Sequence, residues 1–321
     1  GYGNVGDEAI LAGLLTRLGI EDTTVVSHDP VETRRMHRVA AVDHAGAIGA
    51  LRRHRSVVIG GGGLFGADMG RIGRLLPLFG IGAATLGRSV TVEGVDIDDE
   101  LAPTTRRLVP ALLRRAAHIT VRDRASQTTV ERMGAGADVV DDLSELMAPA
   151  SPGTGRAWLA TSGVDLSRPV VGLALTGVRT ELVPAVITAC AEAIDAEPEV
   201  DFCFIPMSRH PTVTDHDDLR LGRLLGAVRP RLRIVEQRVH PAVVLAAYGH
   251  LSTVVAMRYH GMLFADRMGV PLVPVIYAPK NRRWLAERGL EAVAPLPVEL
   301  TAAIGAALGA GNQGRLVSVA S

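Results

Sequence analysis

The sequence predicts an α/β protein built from two doubly wound, Rossmann-like domains. Three observations predict it. Short β-branched runs alternate with segments of helical apolar period in both halves of the chain. Glycine-rich or polar turns stand where such runs end and helices begin. A stretch over 148–168 rich in Pro, Gly, Ser and Thr separates the two halves.

In the first half the helical period covers 8–18, 45–53 and 104–117. Strands are expected at 25–27, 56–59, 89–92 and 119–121, with a short one at 138–140. The linker is placed at 151–168, between an N-terminal domain over 1–150 and a C-terminal domain over 169–321. The second half repeats the theme, with strands at 170–175, 201–205, 233–235, 253–257 and 272–276. Helices at 182–195, 217–227, 241–248, 261–268 and 282–288 separate them. Strands joined through helices pair in parallel, because each crossover returns the chain to the same end of the sheet. Two such domains place a ligand cleft between them, facing the carboxyl ends of the strands. The chain has no initiator Met and opens inside a glycine-rich turn, so a preceding strand is expected to be missing.

Composition narrows the function classes. With 321 residues, 47% of them hydrophobic and 21% charged, the chain is long enough for two cores. A formal net charge of +0 gives no broad field for nucleic acid or an anionic membrane, so an anion site must be a local cluster. Aromatics at 3% supply no stacking platform for single-stranded nucleic acid. Cys190 and Cys203 have no neighbouring ligand spacing and read as buried thiols of a reduced, cytoplasmic protein. No run reaches the roughly 18 apolar residues of a membrane span, and no signal-like start is present. No His, Cys or carboxylate cluster has metal-ligand spacing, and no cofactor is expected.

The candidate site residues begin with Lys280. Of 34 basic side chains it is the single lysine, in Tyr277-Ala278-Pro279-Lys280-Asn281. A compact ammonium suits a small anion in a way that a planar guanidinium does not. Gly1-Tyr2-Gly3-Asn4-Val5-Gly6-Asp7-Glu8 is a glycine turn running into a helix, where backbone N–H groups can meet an anion, and Gly3 and Asn4 are its candidate contacts. Tight strand-to-helix packing is the competing account of these glycines. Gly60-Gly61-Gly62-Gly63 follows the strand at 56–59, where four glycines make sense if a ligand touches backbone at Gly61, Gly62 and Gly63. Arg122 ends the strand at 119–121 and is expected to hold a carboxylate or phosphate, unless Asp123 or Asp142 pairs with it. Met257-Arg258-Tyr259-His260-Gly261 ends another strand; with Lys280 from the next strand end, Arg258 and His260 would gather three potential cations.

GYGNVGDEAIL, GGGGLF, VRDRAS, DDLSE, RYHG and the later YAPK, in this order and spacing, resemble the polysaccharide pyruvyl transferase family. The resemblance spans nearly the whole chain. It implies two domains of the glycosyltransferase-B type. It also implies transfer of the pyruvyl skeleton of phosphoenolpyruvate, as a ketal, to a sugar of a polysaccharide or of its lipid-linked precursor, in exopolysaccharide or cell-wall synthesis. Carried over by position, it implies that Arg122, Arg258, His260 and Lys280 bind the donor or act on it, with Asp217 or Asp218 as the acidic residue after the strand at 201–205. Many members carry a Gln-Gly-Ile-Gly-Pro-like turn after the third strand; here Glu93-Gly94-Val95-Asp96 stands there and is expected to add negative charge near the cleft.

The expected chemistry suits these residues. Phosphoenolpyruvate carries a phosphate and a carboxylate, which Arg258, Arg122 and Lys280 would hold. His260 is assigned as the general acid that protonates the methylene carbon, and Asp217 or Asp218 as the base for the attacking hydroxyl. Two alternatives stay open: a nucleotide-sugar glycosyltransferase of the same fold, and a catalytically silent sugar-binding subunit of an assembly complex.

Overall fold

The computed structural model describes residues 3–66, 72–103, 105–178, 180–210 and 212–309. Gly1 and Tyr2 of the expected glycine turn, and Thr104 at the start of the helix expected over 104–117, lie outside them. The described residues form two compact units, one of residues 7–148 and the other of residues 3–6 and 149–309. All strand pairs in both units are parallel. No described helix is long and apolar enough to cross a membrane.

In the first unit the order is α1 (Val5–Leu18, its first two residues counting with the second unit), β1 (Thr24–Val26), α2 (Pro30–His37), β2 (Ala40–Val42), α3 (Ala47–Arg53) and β3 (Ser56–Phe65). It continues with α4 (Ile72–Thr85), β4 (Ser89–Ile97), α5 (Leu108–Leu113), β5 (His118–Val121), α6 (Arg124–Arg132) and β6 (Asp138–Val139). β3, β4, β5 and β6 lie side by side in that order, and β1 and β2 form a separate pair. The core under the larger sheet includes Ile59, Val90, Val92, Val95, Leu112 and Val121.

Two strands run further than their sequence suggests. β3 continues through the four glycines, with left-handed backbone at Gly61 (φ 71°) and Gly62 (φ 76°) and a register shift between Gly62 and Phe65. The glycines are therefore a bulged part of the strand and not a turn after it. Close packing explains the second position: a Cβ on Gly61 would overlap the side chain of Ile10 on α1. β4 continues through Glu93-Gly94-Val95-Asp96, bulging between Val92 and Val95 to let Gly94 adopt φ 57°. Its two carboxylates are paired, Glu93 with Arg17 at 3.0 Å and Asp96 with Arg122, so the expected surplus of negative charge is cancelled locally.

The second unit holds α7 (Pro152–Thr161), β7 (Val170–Ala174), α8 (Val183–Ala196), β8 (Asp201–Phe204), α9 (Asp218–Val228) and β9 (Arg233–Ile234). After them come α10 (Pro241–Tyr248), β10 (Thr253–Ala256), α11 (Tyr259–Arg267), β11 (Leu272–Pro274), α12 (Pro279–Glu287) and α13 (Pro297–Gly309). β7, β8 and β10 read as apolar runs because helices cover both faces, and every residue in them is buried. On α8 the buried Val186, Ala189, Cys190, Ala193 and Ile194 recur at three- and four-residue intervals, the stripe of a helix lying on a sheet. Both cysteines are free and buried, Cys190 on α8 and Cys203 on β8.

The stretch expected to be a linker is largely helical. Ser151 caps α7 by accepting the N–H of Thr154, and Trp158 is buried and donates its indole N–H to the Gln237 carbonyl at 3.1 Å. Gly155 lets α7 approach α10 closely; a Cβ there would lie 2.5 Å from the Ala247 nitrogen. Pro, Gly, Ser and Thr in this segment thus serve a cap, a first turn and a helix contact, positions where they are favoured for local reasons.

The sheet order of the second unit is β11-β10-β7-β8-β9. Counted within the unit, this is the order 5-4-1-2-3, which reverses direction between β7 and β10. Crossovers leave that point toward opposite faces, and a crevice opens at the carboxyl ends of these two strands.

Candidate functional site

Arg258 stands at this switch point. It follows β10 in extended backbone (φ −68°, ψ 133°) immediately before α11, and its N–H donates to the carbonyl of Ala174 at the end of β7 at 3.2 Å. Gly261, one turn on, brings α11 against β7; a Cβ there would lie 2.8 Å from that of Ala174. The order Arg-x-x-Gly is thus set by the need to place an arginine at the crevice and a glycine under it.

The guanidinium of Arg258 is held by Asp218, the first residue of α9. Nη2 meets Oδ1 at 2.6 Å and Nε meets Oδ2 at 2.9 Å, a fork-to-fork pair. The Asp218 side chain is 0% exposed and that of Arg258 12%. Burial pushes the Asp218 carboxyl up, against the Arg258 charge and hydrogen bonds from Thr176 and the Ser208 N–H. Burial alone would lower Arg258, but Asp218 and a hydrogen bond with Tyr277 outweigh it and raise it, so the arginine stays charged. Asn281 donates its side-chain amide to the Met257 carbonyl, which ties the start of α12 to the residue before Arg258. Lys280 sits half-buried in that first turn of α12.

His260 is the second residue of α11. Its ring meets Tyr259 edge to face, centroids 5.2 Å apart, and Tyr259 in turn packs on Trp284 of α12. Gly6 lies directly against it: a Cβ on Gly6 would overlap the His260 Nδ1. The opening glycine turn is fixed to this unit by backbone bonds, Val5 N–H to Met207 carbonyl at 2.8 Å and Arg209 N–H to Gly3 carbonyl at 3.0 Å. Asn4 accepts the Gly6 N–H at 2.8 Å and bridges to Ser208. Gly3 is left-handed (φ 80°), with the Arg209 carbonyl 2.6 Å from where its Cβ would stand. Residues 3–6 therefore belong with the second unit, not with the domain over 1–150 in which the sequence placed them.

A sequence model of the polysaccharide pyruvyl transferases matches residues 4–279. The chain belongs to the polysaccharide pyruvyl transferase family. Membership places it among transferases. None of the curated proteins matches it. Solved structures resemble it at low identity. HepE from Anabaena in complex with UDP and glucose is 14% identical with a TM-score of 0.59, over 93% of this chain and 85% of that one. UDP-GlcNAc 2-epimerase from Neisseria meningitidis bound to UDP-GlcNAc is 11% identical with a TM-score of 0.65, over 93% and 88%. MnaA from S. aureus with UDP is 10% identical with a TM-score of 0.64, over 94% and 84%. Such likeness shows the fold: two Rossmann-like domains of the glycosyltransferase-B type.

In this pyruvyl transferase family member the structure gathers Arg258, His260 and Lys280 on neighbouring elements, and treats the other expected residues differently. Arg122 lies in the first unit with its side chain 6% exposed, bonded to Asp96 and, at 3.4 Å, to Asp142. Its fork is occupied by protein carboxylates, the pairing with Asp142 that the sequence allowed and a second one with Asp96 that it did not. Asp217 caps α9, accepting the Leu219 N–H at 3.2 Å, and Asp218 is sealed behind Arg258. Asp218 lacks the open geometry of a base and positions the arginine instead, whereas Asp217 is half-buried with its Oδ1 engaged by the cap. Gly60 and Gly61 accommodate Leu14 and Ile10 of α1, Gly62 bulges beside them, and Gly63 is exposed with nothing within 4 Å of its Cβ position. Thr176, Tyr277 and Asn281 were missed as parts of the site. Only the position of Tyr277 and Asn281 beside Lys280 could have signalled them. Among the described residues, no group of three or more His, Cys, Asp or Glu is placed to hold a metal ion.

Proposed function

We propose that this chain transfers the pyruvyl skeleton of phosphoenolpyruvate to a sugar of a polysaccharide or its precursor, forming a ketal and releasing phosphate. The observation that carries the reading is Arg258, charged and locked by Asp218 at the switch point, with His260 two residues on and Lys280 on the helix tied to the same strand end. Arg258 and Lys280 bind the anionic donor. His260, as imidazolium, gives its proton to the methylene carbon, and the adjacent carbon becomes electrophilic. A sugar hydroxyl adds there and passes its proton to the imidazole that has just given one up; the carbon–oxygen bond to phosphate then breaks, its electron pair leaving with the phosphate, and a second hydroxyl closes the ketal as its proton goes to that phosphate.

The test is incubation with phosphoenolpyruvate and a panel of sugar acceptors, following inorganic phosphate and the mass of the acceptor. Phosphate release dependent on the acceptor supports the reading. Nucleotide release from a sugar nucleotide, with phosphoenolpyruvate untouched, would replace it with a glycosyltransferase, the alternative that fits the nucleotide-bound relatives of this fold.

A further inference from the structure

α4 is an apolar helix on the outside of its unit. Arg74 is the only ionisable side chain within Ile72–Thr85, a composition that belongs inside a core. Its inner face is packed: a Cβ on Gly80 would lie 2.5 Å from Leu112 of α5 and 2.8 Å from Ile59 of β3, and Ala83 is fully buried. The opposite face is bare. Leu75 is 57% exposed and Leu78 50%, and a Cβ on Gly82 would meet nothing within 4 Å. Leu86, 69% exposed, extends the stripe past the end of the helix, since its N–H still donates to the Gly82 carbonyl at 3.0 Å. Positions 75, 78, 82 and 86 recur at three- and four-residue intervals, so they share one side.

We propose that this face of α4 seats the protein on an anionic lipid surface. Charge decides between the occupants. In a chain with 34 basic and 34 acidic residues, the stretches 72–92 and 105–117 contain no Asp or Glu. Their charged side chains are all arginines: Arg74 and Arg88 around the leucines, and Arg106, Arg107, Arg114 and Arg115 at the two ends of α5, which packs beside α4. All but Arg88 are exposed. Of the acids at 98–100, just before this region, Asp99 is drawn to Arg132 of α6 at 2.5 Å. A second copy docked through the same face would set these arginines against their own counterparts, with no acid in either helix to pair them. A bilayer with anionic headgroups instead offers acyl chains to the leucines and negative charge to the arginines, whose stems can lie along the apolar boundary. At 14 residues α4 is too short to span, so it lies on the surface. Neutrality of the whole chain conceals the patch, because the balancing acids lie elsewhere. No residue of the donor site enters this inference, which stands apart from the pyruvyl reading.

Sedimentation of the full chain with vesicles tests this, using phosphatidylcholine alone and phosphatidylcholine mixed with about one-third phosphatidylglycerol. The wild type is expected to bind the anionic vesicles about tenfold more tightly than the neutral ones at about 0.1 M salt, and to bind more weakly as salt rises. Leu75→Glu combined with Leu78→Glu should lower that binding roughly a hundredfold, about tenfold for each leucine kept from the apolar boundary. The melting temperature should stay nearly unchanged, because both side chains are already exposed. Val31→Glu, at an exposed apolar position on α2, should bind as the wild type does. No binding to anionic vesicles, equal affinity for the two vesicle types, or a double variant that binds as tightly as Val31→Glu overturns the proposal. So does a wild-type dimer that ignores vesicles and becomes a monomer in the double variant, a result that would make the face a contact between copies.

Discussion

At the residue scale, the single lysine and the buried ion pair make opposite demands on substitution. Lys280→Arg keeps the charge but replaces a rotating ammonium with a wider planar fork. It is expected to lower turnover roughly tenfold to a hundredfold, about 1 to 3 kcal/mol of transition-state stabilisation, with the melting temperature nearly unchanged. Equal kinetics in the two proteins would make the lysine an accident of composition. Asp218→Asn should act on the fold as well, because it leaves the Arg258 guanidinium largely buried against a neutral amide. Breaking such a pair is expected to destabilise by about 3 to 5 kcal/mol, read as a lower urea midpoint. His260→Ala should abolish turnover and leave phosphoenolpyruvate binding within about an order of magnitude; Gly6→Ala, which would displace the same ring, should lower turnover in the same direction. Arg258 and His260 were legible in the sequence because a basic residue and a histidine flank the junction of an apolar run and a helix. Their partners were not. Asp218 lies 40 positions from Arg258, and Asp96 lies 26 from Arg122. No local pattern announces a pair closed by tertiary folding, and two adjacent aspartates at a helix start look alike until one is capped and the other buried.

Elements were legible in proportion to how fully they are buried. The strands of the second sheet read clearly because both faces are covered, leaving uninterrupted apolar runs bounded by polar turns. α4 has no such clarity, since its four-turn span contains Pro77 and three glycines. The glycine run of β3 was legible as a place of close approach, but sequence could not say what approaches it. The structure identifies α1, and different glycines there should respond differently. Gly61→Ala meets both a left-handed backbone and the Ile10 side chain, and should destabilise by about 2 to 5 kcal/mol, overpacking and strain adding. Gly63→Ala meets open space and should shift stability by less than about 0.5 kcal/mol. Similar losses at both positions in chemical denaturation would refute the packing account.

On the scale of the molecule, near-neutral charge and sparse aromatics are what turned attention away from broad electrostatic surfaces and toward a local cluster. Domain number was legible from the repeated alternation of strands and helices, whereas membership of the first residues was not, because it depends on which backbone residues 3–6 bond to. The cysteines lend the chain a property of a different kind. Both lie in the second unit, and residues 7–148 have none. Burial pushes the Cys190 thiol up to about 12 and raises Cys203 as well, so neither is a nucleophile at neutral pH while its surroundings are closed. A thiol reagent at about pH 8 should therefore leave the native protein unmodified and react with two groups per chain on denaturation. Fast labelling of the native state would contradict the burial. Under partial denaturation, the rate at which label enters becomes a clock that runs only when the half carrying Arg258 opens and is blind to the other half. Compared with a probe that sees the whole chain, it tells which half lets go first, with no residue added or removed.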